Sequence, residues 1–318
     1  MASSEAQRGR LHVVSRLEDA ETREPSRLWQ RLSPFLTHPL TAIVAVEGAA
    51  VAALLATICL VFWPMLTGVG VYAESDTFTF FYPVFAVLHA AVRAGEVPFW
   101  SPNVFGGFPL FAEGQIGALY PPSYLAAHLL TTIEGFLALR VFHVGVAVLG
   151  TFALARALGV GTVGAVVGGL AFGLGSFVVA QQHHANLLAA TVWLPLLLAC
   201  VELALSRQGW VGHGLLGVAA LVLGVAALAT HVQPLMLSGA MLVAYVLVRQ
   251  CWMAIGEVRA RGGRSGVLPG ALLLVDACAM VIFVGAVGAL IASAQILPLY
   301  ELSRESWRAF GWSYQDAI

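Results

Sequence analysis

Glu74 and Asp76 stand two residues apart in "YAESDTFTFFYPVF", a few residues after a long apolar run has ended. Carboxylates in such a place can accept a proton, ligate a cation or serve a helix start. Further on, Arg140 and His143 are three apart in "LALRVFHVGV". That spacing puts them on one helix face, where a fixed charge and an imidazole could hold an anion. "QQHHAN" supplies Gln182, His183 and His184 beside Gln181 and Asn186, and "THVQP" supplies His231 and Gln233. Arg304 and Arg308 follow in "AQILPLYELSRESWR". Glu74, Asp76, His183 and His184 could ligate a divalent metal, but no spacing demands one, so metal use stays open.

Each of these residues also has a plainer role. Asp76 could be a helix N-cap or first-turn acid, and Glu74 a solvated loop residue. Arg140 could snorkel to lipid headgroups. The histidine pair could be satisfied structural residues, His231 and Gln233 could cap a helix, and Arg304 and Arg308 could anchor at the interface. The elements that carry them decide between the two sets of roles.

Those elements belong to a membrane. The chain has 318 residues, 59% hydrophobic and 10% charged, with mean hydropathy +0.85, against about 25% charged residues in soluble domains. Apolar runs fall at about 41–66, 135–157, 162–180, 187–205, 212–230, 235–253 and 268–294. Each is near the ~20 residues that cross ~30 Å of hydrocarbon as helix. The expected fold is an all-α polytopic bundle of about seven transmembrane helices. Residues 1–38 read as a cytoplasmic tail, 39–296 as the bundle with a long loop over 68–134, and 297–318 as the start of a further extracytoplasmic loop. Residues 120–133 are also apolar and read as a re-entrant or interfacial segment, broken near Glu134-Gly135. The net charge of −1 predicts no nucleic-acid partner. Four cysteines without metal-type spacing indicate neither a zinc site nor a disulfide framework. The polar first 34 residues are no secretory signal peptide. No phosphate-cradling glycine loop or dinucleotide fingerprint is present.

Arginine placement sets the orientation. With the N-terminus in the cytoplasm, the inner side holds Arg8, Arg10, Arg16, Arg23, Arg27, Arg31, Arg156, Arg207, Arg249, Arg259, Arg261 and Arg264, twelve of the sixteen basic residues. All the polar clusters above then converge on the outer side. Glu47, Glu202 and Asp276 fall in the inner parts of spans, Glu202 near enough to the end of its span to reach the interface. Gly164/Gly168 and Gly169/Gly173 form small-xxx-small pairs, a helix-packing face.

The loop opens with an amphipathic helix over 76–94, its apolar stripe carrying Phe78, Phe81, Phe85, Leu88 and Val92. Asp76 starts the polar stripe that continues through Thr79, Tyr82, His89 and Arg93, so the helix suits the membrane interface. Residues 95–122 hold five Gly and five Pro among aromatics, a composition that suits a structured loop rather than regular helix or central strand. It could cap the bundle or wall a substrate cavity.

"SDTFTFFYPVFAVLHAAVRAGEVPFWSPNVFGGFPLFAEGQIGALYPPSYL" resembles the first outer loop of the bacterial YfhO-type membrane proteins, a family similar to the C-type glycosyltransferases (GT-C). The pattern falls on Asp76, on Gly95/Pro98/Trp100/Pro102, on Gly106/Gly107/Pro109 and on Tyr120/Pro121/Pro122. "HHANLLAATVWLP", "ATHVQP" and "AQILPLYELSRESWR" follow in order, so the resemblance covers roughly 41–308. It implies a polyprenyl-phosphate-linked sugar donor in a bacterial cytoplasmic membrane, a cell-envelope acceptor, and Asp76 as general base. Arg140 and His143 would hold the lipid phosphate. Glu74, Tyr82, Gln182, His183, His184, His231, Gln233 and Arg304 would contact substrate. Family members are longer, so the chain reads as the N-terminal portion of a longer protein. A transporter or flippase, and a catalytically silent assembly subunit, are the competing readings.

Overall fold

The computed structural model describes residues 39–70, 76–207, 209–261 and 264–306. The tail of residues 1–38, Glu74 and Arg308 lie outside them. The chain divides into two units, Met1–Ala49 and Ala50–Ile318. The described part of the first is the opening of helix α1 (Pro39–Val61), and everything below concerns the second.

Among the described residues the fold is all-α, with one isolated β-bridge, Ser101 to Phe108. After α1 come α2 (Trp63–Leu66), a π turn (Thr77–Phe81), α3 (Tyr82–Ala94), α4 (Leu110–Glu113) and α5 (Pro121–Leu129). The bundle continues with α6 (Thr132–Ala157), α7 (Thr162–Gly173), α8 (Ser176–Ala180), a 3-10 turn (Gln181–His183), α9 (Ala185–Thr191) and α10 (Leu194–Leu205). It closes with α11 (Trp210–Leu228), α12 (Val232–Arg261) and α13 (Arg264–Arg304). The protein is a polytopic membrane protein: eight stretches of described helix are long and apolar enough to cross a bilayer.

Seven of the eight coincide with the apolar runs read from sequence. The eighth, Thr77–Ala94, is the amphipathic segment, and its partners bear on where it lies. Tyr82 and Phe85 touch Phe136, His89 meets Leu130 O and Thr132 Oγ1, and Arg93 donates to His128 O at 2.8 Å. Along α3 the partners thus run backwards past the first turn of α6 and on beside α5. A helix that meets only the first turns of a spanning helix sits at the end of the bundle. His89 and Arg93 spend their hydrogen bonds on carbonyls at the C-terminal end of α5, groups a helix end leaves open.

The interior is built by α6, α9, α10 and α11. Leu197, Val201, Ala219 and Leu223 pack there with Val246 of α12 and Val284 of α13. A second cluster joins Leu54 and Ile58 of α1 to Val144, Val148 and Ala165. Of the two glycine pairs, Gly169 and Gly173 do pack: a Cβ on Gly169 would lie 2.7 Å from Val148 O. Gly168 faces open space, so only one of the expected pairs is a packing face.

Two expectations change. The break before α6 falls at Leu130–Thr131, and Glu134 is inside the helix. Thr131 accepts from the Glu134 backbone N–H while Glu134 accepts from the Thr131 N–H, a capping box that starts the helix instead of breaking it. Glu202 is not a solvated acid at the end of its span. It is buried, accepting from Arg249 Nε at 2.8 Å and from Tyr245 OH at 2.7 Å, with Arg249 Nη2 as a third donor. The pair ties α10 to α12. At ~1.5 Å per residue, α12 and α13 exceed the ~30 Å of hydrocarbon, and their hairpin end packs tightly where Gly266 lies against Val258.

Candidate functional site

The loop end of the bundle is where the polar groups meet, and the loop itself is firmly held. Ser101 and Phe108 exchange backbone hydrogen bonds of 2.9 Å. Gln295 of α13, fully buried, donates from Nε2 to Phe111 O at 2.7 Å. The turn after α4 then needs Gly114, whose φ is +82°. A Cβ there would lie 2.5 Å from Thr230 Cγ2 and 2.9 Å from Gln295 Nε2. Backbone handedness and close packing demand the same residue.

Arg140 is the most unusual group at this end. Only 2% of the residue is exposed, so it does not snorkel. Its Cζ lies 3.8 Å from the centre of the Phe136 ring, and Nη1 makes one long bond of 3.4 Å to Phe136 O. Nε and Nη2 have no partner among the described residues. A buried cation without a counter-charge costs several kcal/mol, and the ring face returns only part of that. Arg140 lines a cavity of about 50 Å³ with His143, Tyr120, Gln115 and Asn186, space for a few water molecules.

His143 is fixed by a buried chain. Trp193 Nε1 donates to Tyr120 OH at 3.0 Å, and Tyr120 OH lies 2.8 Å from His143 Nε2. The phenol oxygen accepts the indole proton and, with its own O–H, shares a hydrogen bond with Nε2 whose direction the imidazole tautomer sets. Burial pushes the Tyr120 phenol above its ordinary pKa, partly offset by the Trp193 bond, so the phenol keeps its own proton. Tyr120 comes from the turn before α5, His143 from α6 and Trp193 from the break between α9 and α10.

Asp76 reaches the same end by another route. It holds the capping position of the π turn, yet its side chain makes no capping bond. Instead Asp76 Oδ2 lies 3.5 Å from His184 Nε2, with side chains 50% and 37% exposed respectively. His184 is oriented by Gln181, whose Oε1 lies 2.8 Å from Nδ1, and its ring contacts that of His183 at 4.0 Å. The next two residues, Ala185 and Asn186, line the Arg140 cavity, as does Phe81 at the end of the turn that Asp76 begins.

A second space of 680 Å³ opens beside the first, lined among others by His231, Gln233 and Glu113. Burial, and then the nearby His184, push the His231 imidazole below its ordinary pKa. The other expected contacts are not gathered here. Gln182 is buried and turns back to Val178 O, and Tyr82 packs edge-on against Phe136 at 5.2 Å. Neither they nor His183 and Arg304 line the cavity or the groove. Asp276 lies at the opposite end, lining a pocket with Arg207 and His213. Among the described residues no three His, Cys, Asp or Glu side chains converge on a metal position.

Sequence reasoning missed Glu113 and Gln115 and gave no role to Tyr120's hydroxyl or to Trp193. "FAEGQ" carried the one available signal, an acid and an amide around a glycine in an apolar loop. No protein-family model matches the chain, and no curated protein or solved structure matches it.

Proposed function

We propose that this protein is a membrane glycosyltransferase acting on the extracytoplasmic face of a bacterial cytoplasmic membrane. Its donor is a sugar on a polyprenyl phosphate, and its acceptor is a hydroxyl of the cell envelope. The observation that carries the reading is the buried Arg140, two of whose nitrogens have no partner among the described residues, beside a cavity. An anion offers such a group the charge-assisted bonds it lacks. A groove of about 500 Å³, lined by apolar side chains, runs along the neighbouring face of α6 past Phe142, Gly145 and Leu149, and would take the isoprenoid chain. Support also comes from the resemblance of the loop sequence to YfhO-type proteins, and the arginine bias supports a cytoplasmic N-terminus.

In the proposed reaction the acceptor oxygen attacks the anomeric carbon while its proton passes to the Asp76 carboxylate. The bond from that carbon to the phosphate oxygen breaks, and the electron pair stays on the phosphate. Arg140 holds the charge left there, in a site buried away from bulk water where such a contact is strong. His184 lies beside Asp76, whose carboxylate is half-exposed at the loop end.

The test uses purified protein in nanodiscs with synthetic polyprenyl-phosphate hexose and cell-envelope acceptor. Release of polyprenyl phosphate in step with sugar transfer is expected. Donor that stays intact while crossing a liposome bilayer would make the protein a transporter instead.

A further inference from the structure

A pocket of about 410 Å³ lies at the end of the bundle away from the loop, where α10, α11 and α13 meet. Arg207 enters it from just after α10, His213 from the first turn of α11, and Asp276 from α13. Gly212 holds the corner between α10 and α11: a Cβ there would lie 2.6 Å from Arg207 O. That close approach keeps Arg207 beside the start of α11.

The level of Asp276 follows from the helices themselves. At the loop end Thr230 and Gln295 both stand against Gly114, and farther back Gly224 meets Ile291. The two helices α11 and α13 therefore run side by side in the same direction. Carried back along both, that register puts Asp276 level with residues 209–211, where the span Trp210–Leu228 begins. One to two turns farther in, Leu216, Met280 and Phe283 line the same pocket. It is charged at the end of the span and apolar toward the middle.

Arg207 and Asp276 carry opposite charges and line one pocket, yet they form no ion pair with each other. Elsewhere in the bundle Glu202 and Arg249 are in direct contact. Ionisable groups in spanning helices commonly mark a binding path. A lone anion would suit Arg207 and be repelled by Asp276, and a lone cation would do the reverse. A molecule with both charges a few bonds apart meets each group with its opposite. His213 adds a ring nitrogen able to donate to an oxyanion, and the apolar depth suits a hydrocarbon chain.

We propose that this pocket binds a zwitterionic phospholipid of the leaflet opposite the loop. Its phosphate lies on Arg207 and His213, its ammonium on Asp276, and the start of an acyl chain along Phe283. The site is separate from the Arg140 cavity and holds whether or not the protein transfers sugar.

The experiment adds phosphatidylethanolamine and phosphatidylglycerol in equal amounts to the purified, delipidated protein in detergent. Native mass spectrometry then reads which lipid is retained. Phosphatidylglycerol carries the phosphate and the chains without the ammonium. The wild type should retain phosphatidylethanolamine at least fivefold over phosphatidylglycerol, and Asp276→Asn should remove that preference. Arg207→Gln should lower retention of both lipids about tenfold. Ala279→Trp, on an exposed turn of α13, fills the pocket and should lower phosphatidylethanolamine about tenfold, with Tm unchanged. Free phosphoethanolamine at the same concentration should displace nothing. Equal retention of the two lipids, retention of neither, or a preference that survives Asp276→Asn would overturn the proposal. Displacement of the lipid by free phosphoethanolamine would overturn it too, and would make the ligand a soluble zwitterion.

Discussion

Asp76 Oδ2 lies 3.5 Å from His184 Nε2, joining the segment after the first span to the turn between α8 and α9. The pair stands where an apolar helix has emerged and an amphipathic one begins. An acid placed there only to cap a helix would turn its oxygens to the backbone of the first turn. Asp76 makes no such bond and faces an imidazole across a partly open space.

Arg140→Met tests whether the buried cation serves a ligand or the fold. Replacing an uncompensated buried charge by an apolar side chain of similar length is expected to leave thermal stability unchanged or raised. Polyprenyl-phosphate affinity should fall about ten- to a hundredfold, corresponding to roughly 1.5–3 kcal/mol for a hydrogen bond to a charged group. A lower Tm with unchanged lipid-phosphate affinity would make Arg140 a structural residue.

Tyr120→Phe removes the hydroxyl between Trp193 and His143. An indole N–H and an imidazole nitrogen would both be left without their partner in a buried place, at a cost of about 1–3 kcal/mol. The expected result is a clear fall in Tm in detergent or nanodiscs. An unchanged Tm would mean that the chain Trp193–Tyr120–His143 does not hold.

Gly114→Ala should loosen the loop from the bundle. The added methyl meets both a left-handed backbone conformation and Thr230. Hydrogen exchange in residues 108–117 is expected to speed up while the helices α6 and α10 keep their protection. Unaltered exchange in the loop would show that the packing there has room to spare.

The topology is testable by labelling. In a version freed of Cys59, Cys200, Cys251 and Cys278, single cysteines at 181–186 or 230–234 should react with an impermeant thiol reagent from outside. Cysteines at 255–261 should react only after the membrane is opened. External labelling of 255–261 would reverse the orientation and with it the compartment of the proposed chemistry.

The spans were legible because a bilayer asks only for ~20 apolar residues in a row, a signal that needs no tertiary information. Where local chemistry mattered, the reading slipped. Thr131 and Glu134 were in plain view at capping-box spacing, but Glu134 looked like an interruption because it was the acid in an apolar stretch. Arg140 and His143 could be put on one face from their spacing, yet the lack of a counter-charge depends on every helix around them. The Glu202–Arg249 pair and the Asn186–Gln115 bond join residues 47 and 71 positions apart. Nothing local in the sequence announces either one.

Asp76→Asn bears most directly on the proposed function. Asn has nearly the shape of Asp and can still accept a hydrogen bond, but it is a far weaker base. Sugar transfer from a polyprenyl-phosphate donor, measured in nanodiscs, should fall by about 10²–10⁴-fold. Tm and donor affinity should stay near wild type, since neither depends on the proton that Asp76 accepts. Full transfer activity in Asp76→Asn would contradict the account, and Asp76 would then be a partner for His184 and nothing more.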